Sequence, residues 1–435
     1  MVMFRSSGSV NPLLDLAEGD VAEEYDRRGL GELADHRLVE LAAEVVGVPR
    51  AEIASESYSF VLHAPLELMA RSALLAYVDG AGRRRARLRI VSLAAAYQAS
   101  GPPLAAPPPH DFASLDDAAA ALVDSVEHED LDGVDTAAVW LGARIRPDQL
   151  SAVLADHSID RLSAAGHANI YLQLLARNHP RGLPQQMLRH PARELAKRSD
   201  RRISLPPTRI RVGRGMPAGL VESMARVPVV GRPEQSGIAA MVEHARDRGA
   251  FAYLLDTDGT FSAPDALPVM LLRFAAQAML QGPPEAAAYG WTHCLTLSQA
   301  ALAIAPACTS TSDAVYIASV YLAAHWATLG QGRLDVDGYV PEPVDSDLGA
   351  SLLASPGQAA SAAWHGGDRG DTVSRLATSA AGAHDAHCVK YTLACLDAAA
   401  ADPTHAPLYL AAAAYLNAWW IQHPDPSDPP TDHTA

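Results

Sequence analysis

The chain has 435 residues, of which 49% are hydrophobic, and its formal net charge is −16. The negative charge argues against nucleic acid and against anionic membrane surfaces as main partners, and four irregularly spaced cysteines argue against a disulfide scaffold or a zinc ribbon. The sequence shows no signal-peptide pattern and no apolar run of the roughly 18 residues that a membrane span needs, so we expect a cytoplasmic protein with reduced thiols and no membrane contact.

Apolar residues recur with helical spacing along most of the chain, and strand-like alternation is scarce. In chain order, the pattern predicts helices over residues 36–46, 66–77, 85–98, 115–126, 147–156, 159–177, 218–225, 238–248, 266–280, 285–304, 313–329, 373–379, 384–400 and 407–421. The nearest candidate for a strand, residues 203–212, is interrupted by Pro206 and Pro207. The sequence therefore predicts an all-α fold: one large single-domain helical bundle with irregular loops over residues 1–422, and a disordered tail over 423–435.

Lysine is rare in this chain. Lys197 and Lys390 are the only lysines among 34 basic residues, and Lys197 lies in a charged stretch where any cation would serve. Lys390 lies in an apolar, alanine-rich stretch that we expect to be a core helix. A buried lysine amine can lose its proton and act as a nucleophile or become a metal ligand, which an arginine cannot. The alternative is a lysine whose amine reaches solvent.

Five of the 17 histidines lie in otherwise apolar helical stretches: His63, His167, His293, His325 and His387. A single buried histidine is usually satisfied by a nearby carbonyl. Several histidines on separate helices can instead meet inside a bundle, where neutral imidazoles suit Fe, Zn, Cu or Ni. Because His387 and Lys390 are three residues apart, they share one helix face. A carbamate formed from the lysine amine and carbon dioxide would add an anionic oxygen ligand.

Four short blocks resemble the questin oxidase-like family of fungal and actinobacterial secondary metabolism. The blocks are residues 62–67, 166–170, 293–296 and 387–395, in the family's order, and an apolar helix follows them. The last block is the closest match. The first departs from the family in having Leu62 where an asparagine is common, and the second has Ala168 and Asn169 in place of the more usual residues.

This resemblance implies a helical fold and a non-haem iron oxygenase that uses dioxygen to oxidise or cleave an aromatic polyketide, such as an anthraquinone, in secondary-metabolite biosynthesis. The implied Fe(II) ligands are His63, His167, His293, His387 and Lys390, the last as a carboxylated lysine, with His387 and Lys390 the best matched. His384 and His325 compete for one ligand position. Residues that could line an aromatic-binding pocket, or equally the core, are Phe60, Tyr171, Trp291, Tyr321 and Tyr391.

Other interpretations stay open at this point. The adjacent pair His384-Asp385 could belong to an HD-type metal-dependent phosphohydrolase, which is also helical. A non-catalytic helical binding protein would carry the same pattern without a metal. A terpene-cyclase-like enzyme is disfavoured because Asp116-Asp117 is followed by alanines. The need for an external reductant such as NADPH is open, although the chain lacks a Gly-x-Gly-x-x-Gly fingerprint, and so are the substrate and the oligomeric state.

Overall fold

The computed structural model describes residues 11–14, 16, 21–51, 60–161, 166–177, 185–197, 224, 226–234, 237–251, 267–336 and 338–424. These residues form eighteen α-helices joined by turns, short 3₁₀ segments and loops, and within them no β-strand is found. The predicted all-α class is therefore confirmed. The strand candidate over residues 203–212 lies outside the described residues, as do nearly all of the helix predicted over 218–225 and most of the tail.

The helices are divided evenly along the chain. The first nine are α1 (Val21–Arg27), α2 (Asp35–Val46), α3 (Phe60–Leu74), α4 (Gly80–Ala99), α5 (Leu115–Glu127), α6 (Leu131–Gly142), α7 (Pro147–Ser158), α8 (His167–Arg177) and α9 (Arg189–Lys197). The second nine are α10 (Ile238–Asp247), α11 (Leu267–Gln281), α12 (Thr292–Ile304), α13 (Thr311–Leu329), α14 (Leu348–Ala354), α15 (Pro356–His365), α16 (Arg369–Gly382), α17 (Ala386–Ala401) and α18 (Ala406–Gln422). None of these described helices is long and apolar enough to cross a membrane.

Five helices have no counterpart in the predicted set, namely α1, α6, α9, α14 and α15. Two of them, α1 and α14, have only seven residues each, which is too short for a clear apolar period. In the others, a glycine or proline interrupts the pattern, as Gly133 does in α6 and Pro191 in α9. Tertiary packing outweighs these weak local preferences, because every one of the five buries apolar side chains against its neighbours.

Four helices form a closed ring in the core. Helix α3 packs against α8, α8 against α12, α12 against α17, and α17 against α3. Three of them, α3, α12 and α17, are buried almost all round, as expected for helices in the centre of a large helical protein. Other helices, among them α4, α16 and α18, pack around this ring and shield it from solvent. We call these four the ring helices.

Candidate metal centre

The four histidines of the family-like blocks lie on four different ring helices. His63 is on α3, His167 on α8, His293 on α12 and His387 on α17, each within the first four residues of its helix. Lys390 lies about one turn after His387 on α17. All five side chains are buried, with exposed fractions between 2% and 8%. The ring helices therefore bring all five predicted ligands into the interior of the protein.

The imidazole rings are close together. The ring centroids of His63 and His167 are 4.1 Å apart, and the centroid of His293 lies 5.2 Å from that of His167 and 5.1 Å from that of His387. One ring nitrogen from each of His63, His167 and His387 lies within 4.8 Å of the other two, a grouping that could hold a metal ion. Although His293 is outside this trio, its ring borders the same small volume.

The amine of Lys390 reaches the same cluster. Its Nζ atom lies 3.0 Å from Nε2 of His167. Burial lowers the pKa of Lys390 to about 8, although the negative charges of Asp385 and Glu67 act in the opposite direction. A neutral amine is therefore accessible near physiological pH, and this is the form that reacts with carbon dioxide.

Hydrogen bonds fix the orientation of two of the rings. Nδ1 of His293 donates to the carbonyl oxygen of Tyr289 at 2.6 Å, and Nδ1 of His387 donates to Oδ1 of Asp385 at 3.1 Å. Each bond leaves the Nε2 lone pair available for a metal, as is usual for ligating histidines. Within the described part of the chain, the buried Nε2 atom of His293 has no hydrogen-bond partner.

The electrostatics of the cluster favour the neutral form of three of its imidazoles. Burial lowers the pKa of His167 well below its ordinary value, and the nearby positive charge of Lys390 lowers it further. Burial likewise lowers the pKa of His293 and of His387, and for His387 the hydrogen bond to Asp385 offsets only part of this effect. A neutral imidazole is the form that binds a metal.

A glycine places His167. Gly166 has a φ of 76°, in the left-handed region that favours glycine, so the chain can turn there and start α8 at His167. A Cβ atom at Gly166 would come within 2.3 Å of the Leu297 side chain on α12. The prediction of one unbroken helix over residues 159–177 was therefore wrong. Residues 159–161 are not helical, α8 begins only at His167, and residues 162–165 lie outside the described residues.

A local irregularity places His293. The sequence predicted a continuous helix over residues 285–304, but a π-helical turn (Ala287–Trp291) precedes α12. This turn sets the Tyr289 carbonyl against His293, while the Tyr289 ring lies 5.1 Å from the His387 ring. Such π-helical turns occur frequently at functional sites. Apolar periodicity cannot reveal them, because one extra residue per turn changes the pattern too little.

Asp385 has two roles at the start of α17. Its Oδ1 atom accepts a hydrogen bond from the backbone N–H of His387 at 2.6 Å, which caps the helix, and it also accepts from Nδ1 of the same residue. Burial acts to raise the pKa of Asp385, but the hydrogen bonds from His387 outweigh it and lower that pKa. The helix predicted to start at residue 384 therefore starts at Ala386, because Asp385 is its N-cap.

A buried ion pair on α3 supports the turn before α17. Glu67 lies one turn after His63 and forms an ion pair with Arg71. Arg71 also donates hydrogen bonds of 2.7 Å to the carbonyl oxygens of Ala381 and Ala383. These bonds tie the helix of His63 to the segment that carries Asp385. Pro65 lies inside α3, which starts at Phe60, whereas the sequence predicted a helix from residue 66. Burial of most of the first turn stabilises this earlier start despite the proline.

The two competing histidines differ in position. His384 is exposed and lies in the short segment before α17. His325 on α13 is buried and donates from Nδ1 to the carbonyl of Tyr321 at 2.7 Å. Burial lowers the pKa of His325 to about 4. His325 also acts to lower the pKa of His293, so it is a neighbour of the cluster.

The aromatic candidates lie mainly in the core. Tyr171, Trp291, Tyr321 and Tyr391 are fully buried, and Phe60 is half-buried with its ring 6.2 Å from that of Tyr97. Sequence reasoning did not single out Tyr289 or Glu67 as neighbours of the cluster. The position of Glu67, four residues after His63 on one helix face, was the available signal.

The donor set suits a divalent transition metal. It offers buried neutral imidazoles, a lone pair on His293 without a partner among the described residues, and an amine that can be converted to an anionic carbamate.

Comparison with known proteins gave no relative: no family model matches the chain, and neither a curated protein nor a solved structure matches it.

Proposed function

We propose that this protein is a non-haem iron oxygenase that uses dioxygen to oxidise a planar aromatic substrate of the aromatic polyketide class. One observation carries the proposal: four buried imidazoles from four separate ring helices surround one volume together with a buried lysine amine. Structural histidines need only one partner each. Convergence of four from distant parts of the chain is much harder to explain by core packing alone.

The residues that would hold Fe(II) are His63, His167, His293, His387 and the carbamate of Lys390. Carbamate formation joins the Nζ atom to the carbon of carbon dioxide and releases one proton, which converts a neutral donor to an anionic oxygen ligand. When bound, iron supplies the electron-transfer chemistry that a reaction with dioxygen requires. The four-histidine set with one carboxylated lysine is also what the questin oxidase-like resemblance implies.

The chain's own groups prepare this site in advance. The Tyr289 carbonyl and Asp385 hold the rings of His293 and His387 in one tautomer, so that neither ring has to reorient when a metal binds. Burial of all five side chains excludes bulk water, which limits side reactions of a reactive oxidant. Glu67 and Asp385 place negative charge near Lys390 and partly balance the positive charge of an ion.

Metal content and oxygen consumption test the proposal. Protein purified without chelator and reconstituted anaerobically with ferrous iron is expected to hold about one iron per chain and to consume oxygen with 1,8-dihydroxyanthraquinone or its reduced form. Lys390→Arg should lose this activity, and Lys197→Arg, at the only other lysine, is the matched control. Absence of stoichiometric metal would favour a binding protein, and manganese-dependent phosphatase activity would favour the HD-type alternative.

A further inference from the structure

A cavity of about 330 Å³ lies beside the candidate metal centre. Its wall includes Arg85 and Arg89 on α4, Leu352 on α14, and Trp420 on α18. Asp385 also lines it, and this residue bonds to Nδ1 of His387. The cavity and the candidate metal centre therefore share Asp385 as a common wall. Its volume is within the range of small-molecule sites.

Two arginines give this cavity positive charge, and the carboxylate of Asp385 and the side chain of His384 also line it. Arg85 and Arg89 lie one turn apart on the same face of α4. Arg89 donates from Nε to the carbonyl oxygen of Gly382 at 3.1 Å, which accounts for part of its guanidinium as a cap on the end of α16. Among the described residues, Arg85 has no ion pair and no hydrogen bond to a protein acceptor. Arg89 is therefore engaged with the protein, whereas Arg85 has no such partner among the described residues.

A glycine makes room for Arg85. A Cβ atom at Gly382 would come within 2.3 Å of Nε and 2.7 Å of a terminal nitrogen of the Arg85 guanidinium. The guanidinium therefore lies directly against the backbone of Gly382 in the cavity wall. A side chain at that position would displace it. Contact with the Gly382 backbone thus places the charge of Arg85 at the cavity wall.

The remaining wall adds a flat apolar surface. Trp420 and Leu352 supply this apolar area. The amide of Asn417 is occupied, since it donates to Thr392 and accepts from the thiol of Cys388. A ligand that fits must therefore be flat and must supply acceptors, preferably charged ones.

We propose that this cavity binds the aromatic substrate as a planar anion, with Arg85 holding its carboxylate or phenolate group and Trp420 contacting its rings. This inference rests on the proposed function for the identity of the occupant as substrate. The Tyr289 ring connects the two places, because it contacts both the His387 ring at 5.1 Å and the Trp420 ring at 5.8 Å.

Binding of two matched probes tests the cavity. Anthraquinone-2-carboxylate and the neutral 2-(hydroxymethyl)anthraquinone are titrated into the purified protein by calorimetry, at low and high salt. The anion is expected to bind at least about tenfold tighter than the neutral probe, and the difference should shrink in high salt. Arg85→Gln should remove about a tenfold preference for the anion and leave the neutral probe unchanged. Arg85→Lys, which keeps the charge, should retain part of it.

Arg84→Gln is the control, because Arg84 is on the same helix but pairs with Asp26 at the surface, outside the cavity. Equal binding of both probes, or an equal loss in Arg84→Gln and Arg85→Gln, would overturn the inference, and thermal melting of each variant checks that the fold is retained. The two proposals fail separately. If oxygen consumption depends on iron but binding does not depend on Arg85, only the proposal of a binding cavity is wrong. If binding depends on Arg85 but the protein holds no metal, the binding cavity is supported and the oxygenase proposal is wrong.

Discussion

Two buried polar clusters in this protein follow opposite rules. On α6 and α9, Asp135 accepts hydrogen bonds from Arg189 at 2.9 and 2.6 Å and from Arg193 at 2.5 Å, so a carboxylate lies between opposite charges. In the ring helices, the cluster consists of imidazoles and one amine, all of them bases. In the first cluster the carboxylate pairs with both cations, which is typical of a structural role. The second has a surplus of lone pairs, which is what a bound ion requires.

The largest effect is expected from breaking the Asp135 cluster. Asp135→Ala should lower the free energy of unfolding by about 3–5 kcal/mol, because it leaves the buried guanidinium of Arg189 and the partly exposed one of Arg193 without this carboxylate. Chemical denaturation measures this loss. Asp148→Ala removes a surface ion pair with Arg146 and should cost much less, because solvent screens both charges. Equal losses in the two variants would contradict the comparison.

Replacing the amine of the basic cluster should affect activity rather than stability. Lys390→Arg is expected to reduce iron-dependent turnover by at least about a hundredfold, since arginine cannot form a carbamate and stays charged. Steady-state oxygen consumption at saturating iron measures the loss. Turnover close to that of the unmodified protein would remove Lys390 from the site.

The hydrogen bond from Nδ1 of His387 to Asp385 should increase the affinity for a metal. Asp385→Asn keeps a good helix cap but removes the carboxylate charge, so metal affinity is expected to fall by about 10–100-fold. Competition with a chelator measures the affinity. Asp368→Asn is the control, because Asp368 caps α16 without contacting a histidine of the cluster. A similar change in both variants would mean that capping alone is responsible.

The stability of the region around α9 should depend on pH through His190, which lies on that helix. Burial lowers the pKa of His190 to about 3, well below the ordinary value of 6.5. Between these values the unfolded chain binds a proton that the folded protein does not, so stability decreases as the pH falls below about 6.5. At pH 5 the loss attributable to this residue is about 2 kcal/mol. Denaturation at pH 7.5 and at pH 5 measures this loss of unfolding free energy. In His190→Gln the loss between the two pH values should be smaller by about 2 kcal/mol.

The smallest expected effect concerns the stability of the metal-free protein. Lys390→Met should leave the free energy of unfolding unchanged or raise it by about 1 kcal/mol, because it replaces a buried amine among imidazoles with an apolar chain of similar length. A loss as large as that of Asp135→Ala would mean that the basic cluster is structural. Denaturation in the presence of a chelator distinguishes the two outcomes.

The sequence predicted the helical class because apolar spacing survives even when individual boundaries are displaced. It also singled out the residues of the basic cluster, since histidine and lysine are unusual in apolar helices. It missed Asp385 as a cap and partner of His387, because an aspartate beside a histidine has many explanations. Nor did it predict the π-helical turn or the break at Gly166. These depend on contacts with Tyr289 and Leu297, which only the packed structure defines.

The ring helices also determine when the site can form. Its members are spread from His63 to Lys390, and α17 closes the ring by packing against both α3 and α12. During synthesis, the ring therefore cannot close around His63, His167 and His293 until α17 has left the ribosome. Contacts so distant in sequence form slowly. A chain cut short before α17 would contain three of the four imidazoles but no completed centre, so any metal is expected to bind only once α17 has been synthesised.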